Sequence, residues 1–232
     1  MKNLYLVVLI VFLFGSFSDL HSAQPLKPVN QRFSAASHEE VPDFQRHVVP
    51  LMSRLGCNGR ACHGSFQGRG GFQLSLFGYD FAVDHQALFD EESPRVNLES
   101  PDESLIISKP TDDFAHEGGK RYDKGGWEYN VFRKWVAGGA EFDETDISKL
   151  IEVEITPTEI QFSKPNQTVQ MKVIAVWDDG TREDVTPLVR YYTNDNLIAD
   201  IDENGLVTSG ESKGDTHVVI SYDKAVVPVP VL

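Results

Sequence analysis

The chain is poor in cysteine, methionine and basic charge, and it has no apolar run of membrane-spanning length. Its 232 residues hold two cysteines, Cys57 and Cys62, so a disulfide framework of several bridges is excluded. A zinc site built on the pair would need a fourth ligand beside an adjacent histidine, and no further cysteine exists to supply it. Only three methionines occur, Met1, Met52 and Met171. Lys and Arg number 21 against 35 Asp and Glu, a formal net charge of −14. The acidic excess holds in both halves, which excludes nucleic acid as a partner and leaves solubility or a basic partner as its use. The glycine-dense stretch Gly64–Gly78 has no Gly-Lys-Ser/Thr ending, so it is not a phosphate loop. No Ser-His-Asp set or paired-carboxylate cleft can be placed, and no enzyme activity is assigned.

What is present begins at the N-terminus. Lys2 gives a positive start, Leu4–Phe14 is apolar, and Gly15–Ala23 is small and polar enough for cleavage after Ser18 or Ala23. The apolar run falls short of the roughly 20 residues that cross a bilayer. The reading is therefore a signal peptide over 1–23, with uncleaved anchoring as the rival, and a mature chain exported to the periplasm or cell surface, not membrane-spanning after cleavage.

Both cysteines lie in Cys57-Asn58-Gly59-Arg60-Ala61-Cys62-His63. Two thiols followed at once by histidine are the residue types that attach haem covalently: the sulfurs add to the vinyl groups and the imidazole ligates the iron. Four residues separate the cysteines here instead of the usual two, and Gly59 suits the extra bulge. The alternative is an exported adhesion or scaffold module in which Cys57 and Cys62 form a structural disulfide and no haem is bound. With haem, the sixth ligand falls to His116, which lies in a loop; His85 and an open or water-bound site are the alternatives. Met52 and Met171 are excluded on position. Arg69, Arg95 and Arg121 are candidate partners for the haem propionates, and the glycines of 64–78 are expected to let backbone pass close to a large flat cofactor.

Periodicity organises the rest. Residues 24–40 read as a flexible leader. Asp43 caps a helix carrying Phe44, Val48, Leu51 and Leu55 on one face, kinked or divided at Pro50 and stopped by Gly56. Ser104–Ser108 is a short apolar stretch closed by Lys109-Pro110, and a short helix is expected at Ala82–Asp90. A stronger one follows Gly125-Gly126, with Tyr129, Phe132 and Val136 on one face beside Trp135, and stops at Gly138-Gly139. After about Leu150 the period becomes that of strands. Val169, Met171, Val173, Ala175 and Trp177 alternate, with turns at Asp178-Asp179-Gly180 and Asn204-Gly205. Strands this short and turns this frequent point to a β-sandwich.

Together, Phe44–Pro50, Cys57–Gly64, Phe72–Gly78, Ser104-Leu105, Lys109-Pro110-Thr111, His116–Gly119 and Trp135–Ala140 make residues 41–142 resemble the planctomycete-type cytochrome c domain, a class I cytochrome c variant. The resemblance implies haem c on Cys57 and Cys62, His63 as proximal ligand, and His116 where many class I cytochromes place methionine. Ile155-Thr156-Pro157, Val176–Thr181, Asp200–Val207 and Val218–Ile220 make residues 153–231 similar to a bacterial immunoglobulin-like domain of the group 2 type. The expected architecture is thus two domains, a mainly α cytochrome c-like domain with long loops over 41–150 and an all-β immunoglobulin-like sandwich over 151–232. The expected function is an exported monohaem electron-transfer module, an electron carrier and not an enzyme, with an unidentified redox partner protein and a β-domain acting as spacer or docking surface. The apolar final strand, Val226 to Leu232, and the pairing of these domains are expected of the N-terminal part of a longer protein.

Overall fold

The computed structural model describes residues 24–35 and 39–232; the expected signal peptide lies outside the described residues. Five α-helices are found among them: α1 Val29–Arg32, α2 Val49–Arg54, α3 Phe81–Leu88, α4 Leu105–Ser108 and α5 Trp127–Ala137. Nine strands follow: β1 Leu150–Thr156, β2 Thr168–Gln170, β3 Lys172–Trp177, β4 Arg182–Asp184, β5 Arg190–Thr193, β6 Ala199–Ile201, β7 Leu206–Ser209, β8 Thr216–Tyr222 and β9 Ala225–Val231. They form three antiparallel three-stranded sheets in the orders β1-β3-β4, β2-β7-β6 and β5-β8-β9.

This corrects the expected fold class. The first half is not a mainly α domain: its longest helix has 11 residues, most of it is turn and loop, and the helices of the chain are few and short beside its three small sheets. Helix nucleation is costly, and the glycine, proline and aspartate between the short apolar periods favour turns over propagation. Nor does the second half form one two-sheet sandwich. Its alternating run divides at Met171, whose N–H donates to Gly205 O at 2.9 Å. The residues before it pair with β7 and those after it with β1 and β4. Alternation itself survives the break, since Met171, Val173, Ala175 and Trp177 are all buried.

Local signals are realised where partners are near in sequence. The Asp43 carboxylate caps by accepting from Arg46 N–H at 2.6 Å. Pro50 divides the helix: Phe44–Val48 winds as a π-turn and α2 begins at Val49, with Pro50 in its first turn, where a missing N–H costs nothing. Helix α5 buries Tyr129, Phe132, Trp135 and Val136 and ends at Gly138. Gly180 and Gly205, at φ +83° and +81°, take the left-handed positions of the two predicted turns. In β9, Pro228 and Pro230 carry no N–H, which blunts a strand at the rim of its sheet.

The leader, expected to be flexible, is docked. Leu26 pairs in parallel with Glu183 of β4, donating to Arg182 O at 2.8 Å and accepting from Asp184 N–H at 3.2 Å, and Val29 and Phe33 are fully buried. Buried apolar side chains from both halves join in one continuous core. The halves meet through Arg46, whose guanidinium lies 4.6 Å from the Trp177 ring and pairs with Asp179 at 2.7 Å, while Tyr222 Oη donates to Arg46 O at 2.8 Å. A second seam has Arg190 over the Phe77 ring at 3.8 Å.

Candidate functional site

The loop after α2 is built from its own backbone. Cys57 N–H donates to Met52 O at 2.9 Å, closing α2, and His63 N–H donates to Cys57 O at 2.9 Å. That second bond spans the bulge and returns His63 to the level of the first cysteine, so the two extra residues are absorbed without separating the motif. Asn58, wholly buried, anchors the bulge: its Nδ2 donates to Ser53 Oγ at 2.8 Å and its carbonyl accepts from Phe77 N–H at 3.0 Å.

Cys57, Cys62, His63 and His116 line one cavity. Both cysteines are free thiols. Burial pushes the Cys57 thiol up to about 12, against the pull of Arg121. The rings of His63 and His116 face each other with centroids 6.4 Å apart and planes 21° from parallel. Two imidazoles ligating one metal from opposite sides, each nitrogen at about 2 Å, have ring centres about 6 Å apart. The tautomers agree. His63 Nδ1 donates to Phe72 O at 3.0 Å and His116 Nδ1 to Gly119 O at 2.9 Å; a carbonyl can only accept, so in each neutral ring the lone pair lies on Nε2. Metal-binding histidines are held in this way, by a second hydrogen bond that fixes tautomer and orientation. Burial also moves His63 below the usual imidazole value, with His116 and Arg95 adding to the shift against its backbone hydrogen bonds.

The walls are apolar, with Leu74, Leu105, Ile106 and Phe132 beside Tyr122, whose hydroxyl donates to Ile106 O at 3.0 Å. Cationic groups sit among them, Arg69, Arg95, Lys109 and Arg121. Two thiols, two tautomer-fixed imidazoles, an apolar interior and several cations are the donor set that suits a covalently held haem with carboxylate side chains. No group of three or more His, Cys, Asp or Glu side chains placed for a metal ion occurs among the described residues; a haem iron asks the chain for only two ligands, the porphyrin nitrogens supplying the rest.

His85 is not brought to the cavity. It lies in α3 with Nε2 2.8 Å from Ala140 O, packed among Phe44, Phe89, Trp135 and Phe142. Met52, set aside on sequence position, is a cavity-lining residue and almost wholly buried; it lies next to Leu51 of the apolar helical face, and nothing local revealed that it borders the site. Of the glycines in the 64–78 loop, Gly70 lines the cavity and Gly68 has a local role. A Cβ on Gly68 would meet Phe72 O at 2.1 Å, so that glycine lets the loop close on itself. Gly118 is the glycine that bears on a ligand: a Cβ there would meet His116 Cε1 at 2.8 Å and Nδ1 at 3.2 Å.

A second polar cluster had no sequence signal. Glu183, 1% exposed, accepts from His47 Nε2 at 2.6 Å and pairs with Arg32 at 2.7 Å, and Arg32 also pairs with Glu40 at 2.7 Å. His47 Nδ1 accepts from Asp43 N–H at 2.8 Å. The cluster ties leader, π-turn and β4 together away from the cavity.

No protein-family model matches the chain, and no curated protein is significantly similar to it. Among solved structures, domains 4 and 5 of the S-layer protein SbsC are similar at a TM-score of 0.32 and 19% identity, over 37% of this chain and 52% of that one. Domains 5–6 of the same protein give 0.31 and 20%, over 37% and 44%. The chain thus spans about half the length of these neighbours or less. No helix among the described residues is long and apolar enough to cross a membrane.

Proposed function

We propose that the chain is an exported monohaem c-type module that binds haem c through Cys57 and Cys62 and carries electrons, and that His63 and His116 would ligate its iron. What is carried over from the family resemblance is the ligand set, not a mainly α fold. The observation that supports it most is the pair of facing imidazoles, each with Nδ1 donated to a carbonyl, in a cavity that also holds both thiols.

Bound there, haem would supply a one-electron ferrous–ferric couple. The work of the chain is to tether, orient and desolvate. Cys57 and Cys62 would hold one edge of the haem covalently. The carbonyls of Phe72 and Gly119 keep both rings in the ligating tautomer. Apolar walls keep water out and lower the local dielectric, so that the nearby arginines act strongly on the charge at the iron. Two imidazoles set a lower potential than a His/Met pair. The strand-rich half serves as a spacer or docking surface for a redox partner protein, in the periplasm or at the cell surface.

The test is expression of the mature chain in a periplasm equipped for haem attachment, followed by a visible spectrum and denatured mass. The expected result is a low-spin spectrum and a mass increased by one haem; a chain without the haem mass and without a Soret band overturns the reading in favour of a haem-free module. His116→Ala should convert the spectrum toward high-spin, and an unchanged low-spin spectrum removes His116 from the ligand set.

A further inference from the structure

We propose that Arg95 is the anchor of a haem propionate, a positioning residue for the cofactor; this rests on the haem reading above. Of the arginines lining the cavity, two are already engaged. Arg121 Nη2 lies 3.9 Å from Cys62 Sγ, at the edge where a thioether forms, and propionates leave the haem from pyrroles other than those bearing the vinyl groups. Arg69 is exposed and pairs with Glu117 at 3.8 Å. Arg95 differs from both. Its Nε is buried without a hydrogen-bond partner, and its guanidinium stacks 5.0 Å from the ring centre of Phe72, the residue whose carbonyl orients His63.

The backbone holds Arg95 in place from both sides, its N–H donating to Leu88 O at the end of α3 at 2.8 Å and its carbonyl accepting from Ile106 N–H in α4 at 3.1 Å. A buried arginine donor without an acceptor is costly, and a carboxylate satisfies it through charge-assisted hydrogen bonds. The other titratable groups around it are His63, His116, Lys109, Glu117 and Tyr122 in the cavity, and Asp90, Glu91 and Glu92 on the opposite side. None of the carboxylates forms an ion pair with Arg95 among the described residues, so the position remains open for a carboxylate brought by the ligand.

The experiment measures the midpoint potential of the haem-bearing chain against pH for wild type, Arg95→Leu, Arg95→Gln and Arg95→Lys, with the attached fraction read from denatured mass. Removing a cation near the iron destabilises the less positive ferrous form relative to the ferric form, and an unpaired propionate titrates nearer neutrality. Arg95→Leu and Arg95→Gln are therefore expected to lie below wild type at neutral pH and to fall further as pH rises between about 5 and 8. Arg95→Lys should keep most of the wild-type profile. If Arg95→Leu folds poorly, Arg95→Gln carries the same comparison. Potential curves of Arg95→Gln and wild type that coincide overturn the assignment to Arg95 alone, whereas a wild type without haem mass overturns the haem reading itself.

Discussion

Replacing Glu183 by Gln is the sharpest test of how the leader and the two halves are joined. The carboxylate is 1% exposed and takes hydrogen bonds from His47 at 2.6 Å and Arg32 at 2.7 Å. Burial alone would push its carboxyl up, but His47 and Arg32 outweigh burial and hold it below the usual carboxylate range. Glutamine removes the charge while the Arg32 side chain stays 7% exposed, with Glu40 as its remaining ion-pair partner in the cluster. Breaking one side of a buried pair costs about 3–5 kcal/mol, and with a urea slope of roughly 1–3 kcal/mol/M the midpoint should fall by one to several molar. The sign with pH follows from the lowered carboxyl: its contribution is fully present above the unfolded carboxylate range and is lost as pH falls through the folded value. Glu183→Gln should therefore lose most at neutral pH and show a shallower acid limb than wild type. Replacing both partners, Arg32→Met with Glu183→Leu, should cost less than the two single changes summed, because no charge is stranded. Urea unfolding at several pH values reads all of this. A loss below about 1 kcal/mol at pH 7 would mean a solvated pair and refute the buried junction.

Three further outcomes are expected. Asp84 is fully buried; burial, with Asp80 adding, pushes its carboxyl up to about 6 in spite of hydrogen bonds from Ser75. Its ionised form is thus disfavoured in the fold, and wild type should lose up to about 3 kcal/mol relative to Asp84→Asn as both are taken from pH 4 to pH 7; parallel stability curves would contradict it. Gly118→Ala in the haem-bearing chain should displace the His116 ring, whose Cε1 lies 2.8 Å from the added methyl, and raise the high-spin fraction, read in the visible spectrum. Met52→Leu, close to volume-conserving, should leave the low-spin spectrum intact and cost under about 1.5 kcal/mol; conversion to high-spin would identify Met52 as the ligand in place of His116.

The features legible in the chain were those whose partners lie within a few residues. The Asp43 cap, the α5 face bounded by glycines, and the turns at Gly180 and Gly205 depend on local backbone geometry, which side-chain type controls directly. Cys57, Cys62, His63 and His116 were named from spacing, position and resemblance, and they line one cavity. Misread were features that depend on distant partners. Alternation from Val169 to Trp177 identified which side chains turn inward but not which strands lie alongside, so the change of sheet at Met171 was invisible. Position along the chain did not show that Met52 lines the cavity or that His85 packs elsewhere, against Ala140 O, because both depend on contacts between distant segments.

Taken alone, the sequence determined residue chemistry and local periodicity: two thiols beside a histidine, helices where apolar residues recur at helical spacing, strands where they alternate. Only the tertiary structure decided that His116 faces His63, that Arg95 keeps a buried donor without a partner, that Arg32, His47 and Glu183 meet, and that three small sheets form. The physical reason is that these depend on packing and charge pairing between residues tens of positions apart, where chain entropy is overcome by the core as a whole and no short stretch encodes the outcome.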